Sequence, residues 1–229
     1  MIGEIAAQPV NSIPDVVSAF EAIDRGLPES DGLKWFNGLY LSVTKAVDES
    51  VGADAWQNPA WISRLDVLFA RLYLDALAGT ETPQCWRVFF DARHDARLAR
   101  LQFALAGMNA HIDHDLSIAV VQTCLEFGVE PVHGSAIYQD FTKVNTLLSG
   151  LIDQTKRELM VRLPGDAIPD VGKLEDMVAG FGLEATREIA WTNAEILWQA
   201  EPIPFLADRF TDSLDRVATL AGRALLIPL

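Results

Sequence analysis

From Asp95 to Phe127 the chain gives a helix almost no side on which to meet water. Projected at about 100° per residue, Leu98, Leu101, Leu105, Met108, Ile112, Leu116 and Ala119 form one apolar stripe. The opposite face carries Phe103, Ala106, Gly107, Ala110, Ser117 and Val121 where a surface helix would carry charges. A helix that is apolar or small on nearly every side is stable only when other elements surround it. Ala104, Ala106, Gly107 and Ala110 also leave room for close neighbours. The segment about 95–127 therefore predicts the buried central helix of a bundle, and a chain built around it is all-α.

The remaining punctuation agrees. Ser12 with Asp15 three residues on is a capping box opening "SIPDVVSAFEAID". Leu33, Phe36, Tyr40, Val43 and Val47 recur at helical spacing, with Gly52 as the stop. Asn58 and Pro59 start a helix that ends at Gly79, and Thr82 with Pro83 repeats the device. Further helices are expected from Ser135 to about Val161, over "VGKLEDMVAG", over "LEATREIAWTNAEILWQA", and from about Pro204 to Leu226. Nothing alternates with the period of a strand, and no Asn-Gly or Asp-Gly turn joins β-branched runs. The expectation is one all-helical domain over 1–229 of about eight helices, with a potential subdivision near 163–170.

Half of the 229 residues are hydrophobic, enough for a sizeable core, and 18 basic against 32 acidic side chains leave a net charge of −14. Such a surface repels phosphate backbones and anionic headgroups, so neither nucleic acid nor a membrane is an expected partner. The first residues show no basic stretch followed by an apolar one and are not expected to act as a secretion signal, and no apolar run reaches a membrane-spanning length. Cys85 and Cys124, set in apolar helical patterns, predict two buried free thiols in a reducing cytoplasm. The sequence has no C-x-x-C, H-E-x-x-H, P-loop or G-x-G-x-x-G, and no cofactor is expected. A homodimer is compatible with the sequence.

Against the greasy central segment, "GMNAHIDHDL" (Gly107 to Leu116) concentrates polar groups. His111 and Asp115, four apart, share a face beside the apolar stripe, with Arg97 and Gln122 at a similar angle. Asn109 lies on the stripe's other flank near Gln102, while Asp113 and His114 point away, toward the surface or a second cavity. One reading makes His111 a general acid or base that Asp115 orients and raises in pKa. The other is a self-satisfied pair that pins one helix to another.

A metal centre on His111 and Asp115, completed by His133 and Asp140, would require tertiary coincidence. No Glu-x-x-His occurs, and "DARH" (Asp91 to His94) has no matching second helix. Elsewhere, Asp140 and Asn145 border a core face, Arg71 and Tyr73 offer a buried cation and a phenol, and Arg187 is spaced to stack on Trp191. Trp86, Trp191 and Trp198 would make pocket walls, though aromatics at helical spacing also serve as core. No serine or cysteine has an evident activator.

The same decapeptide, preceded by "FARLY" and "CW" and followed by "D…VN" and "REIAW", resembles the bacterial family catalogued as Domain of Unknown Function 5995. The family core, close to Gly-x-Asn-Ala-His-Ile-x-x-Asp-Leu, matches Gly107, Asn109, Ala110, His111, Ile112, Asp115 and Leu116, and the resemblance covers roughly residues 30 to 200. It implies an all-helical fold and singles out Asn109, His111 and Asp115 over Asp113 and His114. It also implies a bacterial setting, sometimes beside small-molecule biosynthesis.

The expected function is cofactor-free acid/base chemistry (cyclisation, isomerisation or dehydration) on a largely apolar, polyketide-like metabolite inside the bundle. His111 would move the proton, Asp115 would orient it, and Asn109 would bind a carbonyl or hydroxyl. Arg71, Tyr73, Trp86, Asp140, Asn145, Arg187 and Trp191 would contact the substrate. The alternatives are a metal-dependent oxygenase or hydrolase using His111 and carboxylates, and a non-catalytic binding or interaction protein whose His–Asp seam is structural.

Overall fold

The computed structural model describes residues 2–51, 56–79, 82–160 and 170–229. Eleven α-helices follow one another among them: α1 (Ile2–Ala6), α2 (Ile13–Gly26), α3 (Gly32–Val51), α4 (Pro59–Ala78), α5 (Gln84–Ala92), α6 (Arg100–Asn109), α7 (Leu116–Phe127), α8 (Ala136–Met160), α9 (Val171–Gly180), α10 (Leu183–Ala200) and α11 (Pro204–Leu225). A π-helical turn, Ala110–Asp115, joins α6 to α7. No strand occurs among the described residues, and the all-α expectation is borne out. The expected stop at Gly52, and the loop near 163–170 as far as Asp170, lie outside the described residues.

Several helix ends follow from local chemistry. The Ser12 hydroxyl accepts from the Asp15 N–H at 3.3 Å while the Asp15 carboxylate accepts from the Ser12 N–H at 3.0 Å, closing the capping box. Pro59 opens α4, and Gly79, in the left-handed region at φ 82°, ends it. Other ends are satisfied by carboxylates from distant helices, which the sequence does not announce. Asp140 of α8 accepts the Gln57 and Asn58 N–H groups ahead of α4, at 3.0 and 2.6 Å. At α5 the expected cap, Thr82, donates its hydroxyl back to the Ala76 carbonyl. Asp215 of α11 takes the role, accepting from the N–H groups of Gln84 and Cys85 at 2.9 and 2.8 Å. A carboxylate at a helix start satisfies orphan donors and meets the positive end of the helix dipole.

The central helix begins later than its apolar pattern suggests. The Asp95 carboxylate holds both the backbone N–H and the guanidinium of Arg97, at 3.0 and 2.9 Å, in a local turn, and helix starts only at Arg100. From Leu101 to Cys124 every residue is buried except half-buried Asp113 and Ile118 and exposed Gln122. The run is enclosed by α3, α4, α5, α8, α10 and α11. Its tightest contact is reciprocal. A Cβ on Gly32 of α3 would overlap the Phe103 ring of α6, and a Cβ on Gly107 of α6 would overlap the Phe36 ring of α3. Each helix thus offers a glycine to the other's phenylalanine one turn apart, and the rising register on both makes the two helices parallel. Cys85 and Cys124 are buried free thiols. No helix among the described residues is long and apolar enough to cross a membrane.

Candidate functional site

The polar decapeptide falls on the π-helical turn. Its wider spacing shows in the Leu116 N–H, which reaches back to the His111 carbonyl five residues earlier. Such turns interrupt the α repeat and recur at functional sites. His114, expected to face away from His111, is buried, and its Nδ1 lies 2.6 Å from Asp115 Oδ1. His111 Nδ1 lies 2.9 Å from Asp115 Oδ2. The Trp86 indole N–H, from α5, donates to that same Oδ2 at 2.9 Å. One carboxylate, only 1 % exposed, therefore holds two imidazoles and an indole.

The electrostatics set the two imidazoles apart. Burial pushes the Asp115 carboxyl up, but the two imidazoles bonded to it outweigh burial and hold it below the usual carboxylate range. Burial lowers His114, yet the bond and charge of Asp115, with the more distant Asp215, leave its pKa raised. For His111 the balance reverses: burial outweighs Asp115, and its pKa is lowered. Asp115 does raise the His111 pKa, as expected, but burial first and the neighbouring His114 after it outweigh the carboxylate, and the net shift is downward. The two shifts run in opposite directions, favouring the charged form at His114 and the neutral form at His111. A neutral imidazole donating Nδ1–H to a carboxylate carries its lone pair on Nε2. That Nε2 is buried and has no hydrogen-bond partner.

His111 also lines a partly enclosed cavity of about 90 Å³ between α3, α4, the π turn, α8 and α10. Most of the wall is apolar: Phe36, Leu39, Val43, Leu65, Phe69, Ile112, Val144, Leu148 and Leu183 among others. Phe69, half-buried, stacks on the imidazole with ring centroids 3.5 Å apart and planes 5° from parallel. Three further polar side chains share the wall: Tyr40, Asp66 and Arg187. The Tyr40 hydroxyl and Asp66 Oδ2 are, like His111 Nε2, buried without a partner. Burial, with the nearby charge of Asp48, pushes the Asp66 carboxyl up to about 7, and burial raises the Tyr40 phenol as well. Orphaned buried polar atoms are costly and uncommon. Three of them belong to residues that line this one apolar cavity.

Of the other residues singled out in the sequence, only Arg187 reaches this cavity. Its guanidinium lies over the Phe141 ring at 4.3 Å, not on Trp191 as the spacing suggested, and its Nε donates to Asn145 Oδ1 at 2.6 Å. Asn145 therefore supports Arg187 from behind. Asn109 is buried against α11, where its amide donates to the Ala218 carbonyl at 2.7 Å. Tyr73 lies inside the aromatic core, its hydroxyl 3.4 Å from Asn37 Oδ1. Trp86 stands behind the histidine, on the carboxylate. Trp191 packs on Trp61, Tyr138 and Phe141 and donates to Glu195. Arg71 pairs with Asp75 near the surface, and Asp140 caps α4.

Arg97 and Gln122 do not extend the His111–Asp115 pair, since Arg97 is held by Asp95 at the surface and Gln122 is exposed. Nor do His133 and Asp140 join His111 and Asp115: His133 is held on the surface between Glu188 and Glu195. Among the described residues no three His, Cys, Asp or Glu side chains form a group that could hold a metal ion.

Sequence reasoning misses Tyr40, Asp66 and Phe69. Tyr40 sits at core spacing with Phe36 and reads as packing. Asp66 leaves a signal: it lies four residues from both Ile62 and Ala70, an acid on the apolar face of α4.

The model of the family described as "Family of unknown function (DUF5995)" matches residues 13–228, and the chain belongs to that family. No curated protein and no solved structure matches it.

Proposed function

We propose that this member of the family is a small-molecule enzyme performing acid/base chemistry (cyclisation, isomerisation or dehydration) in the cavity beside the π turn. The observation that carries the reading is a histidine, oriented by a buried carboxylate and with an unpartnered Nε2, that lines an apolar cavity together with Asp66 and Tyr40, whose buried Oδ2 and hydroxyl are also unpartnered. His111 Nε2 takes a proton from a weakly acidic C–H or O–H group of the substrate. Asp115 stabilises the imidazolium that results, and its charge costs little because it is already present before reaction. Asp66 in its protonated form, with the Tyr40 hydroxyl, donates hydrogen bonds to the oxygen on which charge develops. The lining is mostly apolar, which strengthens each of these interactions.

The cavity volume narrows the substrate. At about 90 Å³ it is of the same order as engineered apolar cavities of ~150 Å³ that take up a single benzene ring. It fits one ring or a short chain, not a fused polycycle. Asn109, bonded to α11, positions the helix and has no place in this chemistry.

The test is incubation of the protein with apolar extracts of its host in D2O, followed by mass spectrometry. Wild type should convert or deuterate at least one component, and folded His111→Gln should not. Turnover should fall at acid pH as His111 takes up a proton, and again above about pH 7 as Asp66 loses its own. Undiminished turnover by folded His111→Gln would defeat the assignment. A second reading, ligand binding without turnover, is favoured by the sealing of His111 Nε2, Tyr40 Oη and Asp66 Oδ2 from solvent. It predicts a component retained by the protein and returned unchanged.

A further inference from the structure

Arg187 is the only lysine or arginine among the buried described residues, at 5 % exposure. Its Nε donates to Asn145 Oδ1, and one Nη donates to the Phe141 carbonyl at 2.9 Å, both neutral acceptors. No carboxylate among the described residues pairs with it, and burial alone accounts for its depressed pKa of about 10, which still leaves it charged at neutral pH. The chain has 14 more acidic than basic side chains, yet supplies none of them to this cation. A buried charge without a counter-ion is strongly unfavourable, so such an arginine is normally paired. Its other Nη is free to donate, and the residue lines the cavity that holds His111.

We propose that the counter-ion of Arg187 is the ligand: the cavity binds an apolar monocarboxylate, with its carboxylate on the guanidinium and its hydrocarbon part along Val144, Leu148 and Leu183 toward His111. The inference rests on the reading of this cavity as a substrate site and names the class of molecule it takes. A planar guanidinium with free donors matches a carboxylate in shape and charge. One cation balances one negative charge. A phosphate dianion would bring a second charge into a wall that already contains Asp66 and is otherwise apolar. The neutral acceptors Asn145 and Phe141 hold the guanidinium in place without cancelling its charge, as an anion anchor requires.

The experiment compares acids with their own amides on the intact protein: hexanoate, octanoate and phenylacetate against hexanamide, octanamide and phenylacetamide, by calorimetry at pH 7. At least one acid should bind ~10-fold or more tightly than its amide, the scale of a charge-assisted pair in a dry site. Arg187→Gln should abolish the difference, and Arg187→Lys should keep part of it. Where Arg187→Gln does not fold, the wild-type comparison and Arg187→Lys decide. Equal binding of acid and amide, no binding by any of the acids, or a preference that survives Arg187→Gln would overturn the proposal. Failure of the catalytic reading is separable from this. An acid preference with no His111-dependent turnover leaves the anion site standing and removes the enzyme, while His111-dependent turnover without acid preference does the reverse.

Discussion

Replacing Asp66 with asparagine should stabilise the protein progressively as the pH rises. The carboxyl is displaced from 3.8 to about 7, by burial first and then by Asp48. Between those values the folded chain retains a proton that the unfolded chain has released. Wild-type stability from this group therefore falls with rising pH, by about 1.36 kcal/mol per unit, and levels off above about 7. The full displacement is worth about 4 kcal/mol at most. An isoelectric point of about 4.6 makes the lowest part of the range unsuitable for solution work. From pH 5 upward about two units remain, or roughly 2.7 kcal/mol. For a domain of this length that is about 5–11 °C in melting temperature.

The substituted amide does not titrate, and every other ionisable group is common to the two proteins. The difference between their stabilities should therefore climb from pH 5 to about pH 7 and then stay flat. Urea denaturation of wild type and Asp66→Asn at half-unit intervals from pH 5 to 8.5 measures it. A difference that is constant across the range would show that Asp66 ionises as an ordinary carboxylate, and the argument that it supplies a proton at neutral pH would go with it.

The shared carboxylate has its own pH signature. The raised pKa of His114 contributes stability that is complete below about 6.5 and is lost as the pH passes through the folded value. His114→Gln should therefore cost about 3 kcal/mol near pH 6 and clearly less at pH 9, by urea denaturation at the two values. An equal cost at both would mean that His114 is not the charged imidazole. Gly107→Ala should destabilise by about 1–3 kcal/mol, since the added methyl meets the Phe36 ring and the matching Gly32–Phe103 contact holds the helices together. An increase in stability, the usual effect of alanine in a helix, would show that α3 can move away from α6.

What the sequence disclosed followed from local physics. The central helix was legible because Leu101 to Cys124 has no adequately polar face, and α4 because Pro59 and Gly79 mark its ends. The start at Asp95 was misplaced because an Asp95–Arg97 turn fits the same apolar pattern as a first helical turn. The caps supplied by Asp140 and Asp215 were invisible because each acts on a helix far away in the chain. At the site, His111 and Asp115 were found because four-residue spacing survives both α and π geometry. His114 is misplaced because its partner, Asp115, is the next residue in the chain, a contact that helical spacing does not announce. Tyr40 and Phe69 were passed over because an aromatic at core spacing looks the same whether it meets another helix or a cavity.

The π turn adds the width of one residue to an otherwise regular rod, and it divides the labour along it. Ahead of the turn, α6 packs on α3 and α11; beyond it, α7 packs on α4 and α10. The hydrophobic pattern on each side would serve a continuous α-helix equally well. Bundle and site are therefore written at different places and can be inherited separately. A relative one residue shorter here would keep every layer of the bundle and lose the geometry that brings two imidazoles to one carboxylate. In a relative, the number of residues between Gly107 and Leu116 would therefore report whether this local geometry is kept.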